Sequence, residues 1–129
     1  MESLYQTSNT ILYCKNWKDT LRFYRLLLST PGNPVADWFV EFHVNKGARL
    51  SVADESRASI KSAGGKGITI SLQVQDINDA WRELRHRSLA PGTVTLHPWG
   101  ARLFYLYDPE GNRIEIWQAD VSGGSMPAQ

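Results

Sequence analysis

The chain states one pattern twice. Displaced by 60 positions, the segment Ile11 to Arg25 sets Leu12, Asn16, Asp19, Leu21 and Arg22 on Leu72, Asp76, Asp79, Trp81 and Arg82. Farther on, Gly47-Ala-Arg-Leu-Ser-Val52 reads against Gly111-Asn-Arg-Ile-Glu-Ile116, which puts Glu115 opposite Ser51. A repeat of this length makes each copy one supersecondary unit, and the fold is then assembled from two of them. Neither copy is large enough to cover its own apolar surface alone.

Hydrophobic periodicity supplies the content of each copy. Ser8 to Cys14 alternates and reads as a strand, and Asn16 stands as the N-cap of a helix that carries Trp17, Leu21, Tyr24 and Leu28 on one face. Pro31, Gly32 and Pro34 end that helix, a short strand is expected near Val35, and Asp37 to Val44 and Gly47 to Ala53 form a hairpin about Asn45-Lys-Gly47. In the second copy Ile68 to Val74 is a strand. Asp76 caps a helix with Ile77, Ala80, Trp81 and Leu84 inward, and strands follow over Thr93 to His97, Arg102 to Tyr107 and Arg113 to Trp117. The expected fold class is α+β: two βαβββ modules forming a curved, cup-shaped mixed sheet of eight strands, with the helices on the outer face. Module one spans about 8–54, a glycine-rich linker 55–66 and module two about 67–118, within one domain of 1–120. The tail 119–129 is expected to be disordered.

Strand alternation assigns the two faces. Leu12, Cys14, Val40, Phe42, Leu50, Val52, Ile70, Leu72, Val74, Phe104, Leu106, Ile114 and Ile116 fall on the core side. Opposite them stand Asn9, Ile11, Tyr13, Phe39, Glu41, His43, Arg49, Ser51, Thr69, Ser71, Gln73, Leu103, Tyr105, Tyr107, Arg113, Glu115 and Trp117. This second face mixes aromatic and polar groups, as a small-molecule site does.

Bulk properties exclude several classes of function. A formal net charge of +1 in 129 residues offers no electrostatic case for nucleic acid or an anionic membrane. No apolar run approaches the roughly 20 residues of a membrane span. The opening Met-Glu-Ser-Leu-Tyr5 lacks the regions of a secretory leader, so cytoplasm is the expected compartment. The single cysteine, Cys14, sits in the apolar stretch Ile11 to Cys14 and reads as a buried structural thiol. Gly64, Gly65 and Gly67 precede a strand rather than a helix and make no phosphate cradle.

The residues Phe23-Tyr24 late in the first helix, Asp76 before the second, Pro98-Trp-Gly100, and Asp108-Pro-Glu-Gly-Asn-Arg-Ile-Glu-Ile-Trp-Gln118 carry a resemblance. With them the chain resembles the vicinal-oxygen-chelate superfamily of glyoxalase I, bleomycin-resistance proteins, extradiol dioxygenases and fosfomycin-resistance enzymes, from Asn9 to Gln118. The resemblance implies paired βαβββ modules and a homodimer. It also implies that a divalent ion, where a member uses one, is held at the positions occupied here by Asn9, Ser51, Thr69 and Glu115. Only Glu115 is an anionic ligand, and one carboxylate with an amide and two hydroxyls is a weak set for Zn, Fe or Mn. No metal and no cofactor are therefore expected.

Glu41 and His43, two apart on one strand, point the same way, and with Glu115 they offer either an irregular metal site or an acid/base pair. The plainer reading is a structural polar cluster. Glu115 has two readings as well: ligand contact, or a structural role, paired with Arg113, Arg49 or Arg102 or set in a dimer seam. His86 reads as solvated and His97 as a loop residue. Trp17 and Trp81 read as core, and Trp117, Trp99 and Trp38 as rim positions able to stack on a flat ligand.

The leading expectation is a metal-free binder, closest in character to the bleomycin-resistance proteins, that holds a small aromatic or amphipathic molecule, cationic ones included. Its ligand-binding residues are Tyr13, Phe39, Glu41, His43, Tyr105, Tyr107, Glu115 and Trp117, and sequestration needs no catalysis. Two alternatives stay open. One is a metal-dependent lyase, isomerase or dioxygenase using Glu115 with His43 and Glu41. The other is a metal-free enzyme with Glu115 or His43 as general base.

Overall fold

The computed structural model describes residues 2–98 and 100–119. Trp99 and residues 120–129 lie outside them; of the tail 119–129 expected to be disordered, only Ala119 is described, and it is the last residue of a strand. The chain divides into two compact units, at residues 1–64 and 65–129, a division that falls inside the glycine-rich linker.

The first unit runs β1 (Ser8–Cys14), α1 (Trp17–Leu28), β2 (Asn33–Ala36), β3 (Phe39–Asn45) and β4 (Ala48–Asp54). These strands form a four-stranded sheet in the order β1-β4-β3-β2, with β1 parallel to β4 and the hairpin antiparallel. Alternation produces the expected sidedness: Leu12, Cys14, Val40, Phe42, Leu50 and Val52 are all buried. The face of α1 that is buried consists of Thr20, Leu21, Tyr24 and Leu27, so the stripe is rotated slightly from the Leu28 expected in the sequence. Trp17 ties the helix to the sheet, its indole N–H donating to the carbonyl of Val52 at 2.9 Å. Asn16 sits at the N-cap without a side-chain capping bond; its carbonyl instead accepts from the Thr20 hydroxyl at 2.8 Å. Cys14 is fully buried, as a structural thiol should be.

The second unit repeats this order as β5 (Thr69–Gln73), α2 (Ile77–His86), β6 (Thr95–Leu96), β7 (Ala101–Tyr107) and β8 (Arg113–Ala119), with sheet order β5-β8-β7-β6. Phe104, Leu106, Ile114 and Ile116 are buried, while Ile70 and Leu72 are half-buried. Val74 lies just past β5, its N–H donating to Trp117 O at 2.8 Å. The strand expected over Thr93 to His97 contracts to two residues. Gly92 still bonds Tyr105 O at 2.8 Å, but the turn closed by Gly100 N to His97 O ends the ladder.

Helix α2 is capped on two sides. Asp76 accepts from Asp79 N at 3.0 Å, and the Gln118 side chain reaches from β8 to accept from Ile77 N at 2.7 Å. Together they satisfy two of the N–H groups that a helix start leaves without intrahelical partners.

The 108–112 turn is organised by one buried carboxylate. Asp108 accepts from the Glu110 and Asn112 backbone N–H groups, each at 2.9 Å, and from Asn112 Nδ2 at 2.8 Å. The linker glycine Gly65 lies against this turn with a positive φ of 80°; a Cβ placed there would stand 2.2 Å from Gly111 O. The linker before it holds a 3-10 turn at Glu55–Arg57, capped by Asp54.

Candidate functional site

Register turns each sheet face into rows of side chains. In module two, β5, β8 and β7 set Thr69, Arg113 and Tyr107 abreast, then Ser71, Glu115 and Tyr105, then Gln73, Trp117 and Leu103. In module one, β1, β4 and β3 set Asn9, Arg49 and His43 abreast, then Ile11, Ser51 and Glu41, then Tyr13, Ala53 and Phe39. The two sets correspond row for row. All eight residues expected to bind a ligand occupy these rows, four in each module.

In module one, Glu41 is the hub. Arg49 Nη1 lies 3.2 Å from Glu41 Oε1, and His43 Nε2 lies 3.7 Å from the same oxygen. His43 is exposed at the sheet end, so the pair expected from its spacing exists but is shared with an arginine. Ser51, fully buried, donates its hydroxyl to Asn9 Oδ1 at 2.9 Å. Tyr13 and Phe39 are half-buried in the third row, and Trp38 meets Phe39 edge-on with ring centroids 5.7 Å apart.

In module two burial deepens along the rows. Tyr107 is 60% exposed and Tyr105 half-buried, whereas Glu115 is fully buried and Trp117 only 6% exposed, packed with Ala101 and Leu103. The Ser71 hydroxyl donates to Glu115 Oε1 at 2.9 Å. Arg113, one of the three arginines considered as Glu115's partner, donates from Nε to Thr69 Oγ1 at 3.0 Å and lays its guanidinium over Tyr105, 4.5 Å from the ring centroid. Ser71 stood on the expected face without a role, and Arg113 only as one candidate partner of Glu115. Their roles come from cross-strand neighbours, which only a register supplies.

The positions that the resemblance assigns to a divalent ion are poor donors here. Ser51 and Asn9 are neutral and bonded to each other, and Thr69 presents its oxygen to the Arg113 cation. Glu115 is the single anion among the four. Such a set does not offset the dehydration of a divalent ion. Among the described residues, no group of three or more His, Cys, Asp or Glu gathers where it would hold a metal.

A notch of about 410 Å³ at the start of α1 is lined by Lys15, Asn16, Trp17, Lys18, Asp19 and Asp54. Its charges are mixed, and it contains none of the expected ligand-binding residues. Among the described residues no helix is long and apolar enough to cross a membrane.

Solved structures reproduce this fold at low sequence identity. A glyoxalase/bleomycin resistance protein/dioxygenase from Nocardioides superposes with a TM-score of 0.76 at 20% identity, covering 100% of this chain and 91% of its own. A glyoxalase/bleomycin resistance protein from Catenulispora acidiphila gives 0.72 at 18% identity, covering 88% and 97%. A lactoylglutathione lyase from Agrobacterium tumefaciens gives 0.70 at 16% identity, covering 96% and 98%. Curated protein sequences give no match. The model of the Glyoxalase/Bleomycin resistance protein/Dioxygenase superfamily matches residues 7–116, most of the chain. With two βαβββ modules in the structure as well, the chain belongs to the glyoxalase/bleomycin resistance/dioxygenase superfamily.

Proposed function

We propose that this protein binds a small aromatic or amphipathic molecule without a metal ion, as a sequestering protein rather than an enzyme, and that it does so as a homodimer. The observation that carries the reading is the row arrangement of module two, where Tyr107, Tyr105 and Trp117 share one sheet face with a single carboxylate. Aromatic side chains supply most of the contact area in sites of this kind, and a few fixed polar groups set orientation. The expected tolerance for a cationic ligand rests on Glu115 and Glu41. Glu115 is fully buried beneath the Ser71 bond, and Glu41 already faces Arg49 and His43.

The second reading, a metal-dependent lyase, isomerase or dioxygenase using Glu115 with His43 and Glu41, draws on relatives such as the lactoylglutathione lyase. Donor chemistry counts against it, since Thr69 faces a guanidinium and Ser51 an amide.

Elemental analysis of the purified protein, followed by melting with added Zn, Ni, Mn and Fe(II), separates the two. The binder has no stoichiometric metal and no metal-dependent rise in melting temperature. One tightly held ion per chain overturns the proposal. A panel of flat aromatic compounds, read by quenching of tryptophan fluorescence, then tests binding. At least one compound must bind in a way that Tyr105→Ala weakens. Sedimentation at micromolar concentration should give twice the chain mass.

A further inference from the structure

We propose that the indole N–H of Trp117 selects a planar aromatic ligand bearing an uncharged carbonyl oxygen. This rests on the binding reading above and names the ligand class.

The state of the indole donors carries the inference. A buried tryptophan ordinarily gives its polar hydrogen to an acceptor. Trp17 and Trp81, both half-buried, do so: their indoles donate to Val52 O at 2.9 Å and to Gly92 O at 2.8 Å. Trp117 is buried more deeply, at 6% exposure, with Ala101 and Leu103 against it. Yet among the described residues its N–H donates to no group. Nε1 is not fully covered either, so the small accessible part of this residue includes the donor. A ring wedged against the sheet thus presents its polar edge at the surface.

Register says what surrounds that edge. Trp117 shares the face of Glu115 and Tyr105, and its own row holds Gln73 on β5 and Leu103 on β7. The row carries no charged side chain. An anion desolvated there meets no counter-charge in the row, whereas a carbonyl oxygen matches a neutral donor. The indole N–H only donates, so it gives nothing to a ligand group that only donates as well. A carbonyl oxygen has two lone pairs, and the exposed Gln73, abreast of Trp117, carries an amide for the second. Tyr105 packs against the Trp117 cluster, so one flat molecule can meet its ring and the indole edge together. Module one has Ala53 at the equivalent position and offers no such donor.

Equilibrium dialysis of the native protein against fluorenone, fluorene and carbazole tests this. The three are flat and similar in size, and carry at the same ring position a carbonyl, a methylene and an N–H. Fluorenone should bind about fivefold or more tightly than fluorene, the effect of one neutral hydrogen bond, and carbazole no more tightly than fluorene. By nuclear magnetic resonance of the ligand-free protein, the Trp117 indole proton should exchange with solvent faster than those of Trp17 and Trp81. It should move farther downfield with fluorenone than with fluorene. Trp117→Phe, which keeps a ring and removes the donor, should abolish the fluorenone preference. Equal affinity for fluorenone and fluorene, or a preference that survives in Trp117→Phe, overturns the inference while leaving the binding reading intact. Failure of all three compounds to bind overturns both. The ratio on the native protein is decisive by itself, so poor folding of the variant does not shelter the proposal.

Discussion

Replacing Gly65 by alanine should destabilise the protein far more than the same change at its neighbour Gly64. Both residues have left-handed backbones, with φ of 80° and 67°. A non-glycine residue in that region costs about 1–2 kcal/mol. Reduced freedom of the unfolded chain returns about 0.4–1 kcal/mol, so the conformational part of each substitution nets about 1 kcal/mol. The surroundings separate them. A Cβ on Gly64 meets nothing within 4 Å, whereas one on Gly65 falls 2.2 Å from Gly111 O, 2.3 Å from Gly111 C and 2.7 Å from Asn112 N. Those are backbone atoms in a turn fixed by three bonds to Asp108, so a flexible side chain cannot absorb the clash. Overpacking of this kind adds about 1–3 kcal/mol, here at the upper end, for a total near 4 kcal/mol. In a domain of this size each kcal/mol moves the melting temperature by about 3–5 °C. Gly65→Ala should therefore melt about 12–20 °C below the native protein, and Gly64→Ala about 3–5 °C below it. Circular dichroism through the thermal transition checks both. Melting temperatures within 2 °C of each other would refute the claim that the linker is seated on the 108–112 turn.

Asp108→Ala should cost about 3–5 kcal/mol in urea unfolding, because it strands two buried backbone N–H groups and one amide at once. Gln118→Ala should cost about 1 kcal/mol through the lost cap on Ile77 N, with amide exchange accelerated at the start of α2 and unchanged in α1. Ser71→Ile leaves a buried carboxylate without its hydroxyl donor and should cost about 2 kcal/mol or more. Adding Glu115→Ser to that variant restores the module-one pair of Ile11 beside Ser51. A double-mutant cycle should therefore show a favourable coupling of at least about 1 kcal/mol, and strict additivity would count against the pairing.

The repeat, the element types and the sidedness of the strands were legible because they depend on local periodicity. Leu50 and Val52, like Ile114 and Ile116, are forced to one side by the pleat whatever lies above them. Depth of burial was less legible. Ile70 and Leu72 have the right parity yet are half-buried, and Trp117, expected near an accessible rim, is 6% exposed against Ala101 and Leu103. Parity tells which face a residue takes but not what covers that face. Partners were hidden for a related reason. The sequence offered Arg113, Arg49 and Arg102 to Glu115 on charge alone, whereas the register sets Ser71 directly beside it. Likewise Gly65 read only as part of a glycine-rich linker because its contact, Gly111, lies far away in sequence.

Set side by side, the two modules separate what the fold requires from what it leaves open. On the helix-facing side the equivalent positions Val40 and Phe104, Phe42 and Leu106, Leu50 and Ile114, and Val52 and Ile116 change only among apolar residues, since each must fill a packed interior. On the opposite side Glu41 becomes Tyr105, Ser51 becomes Glu115 and Ala53 becomes Trp117, while the arginine is kept. These changes are linked. Burying a carboxylate at 115 is tolerable only with a donor beside it, and the neighbouring strand supplies one by carrying Ser71 where module one carries Ile11. Where module one sets Glu41 beside Arg49, module two sets the Tyr105 ring under Arg113, and Thr69 in place of Asn9 supplies an oxygen that accepts from the guanidinium Nε. Module one therefore joins Glu41 to Arg49 and Ser51 to Asn9, and module two gives the same backbone positions to a cation–π contact and a carboxylate that accepts from a hydroxyl.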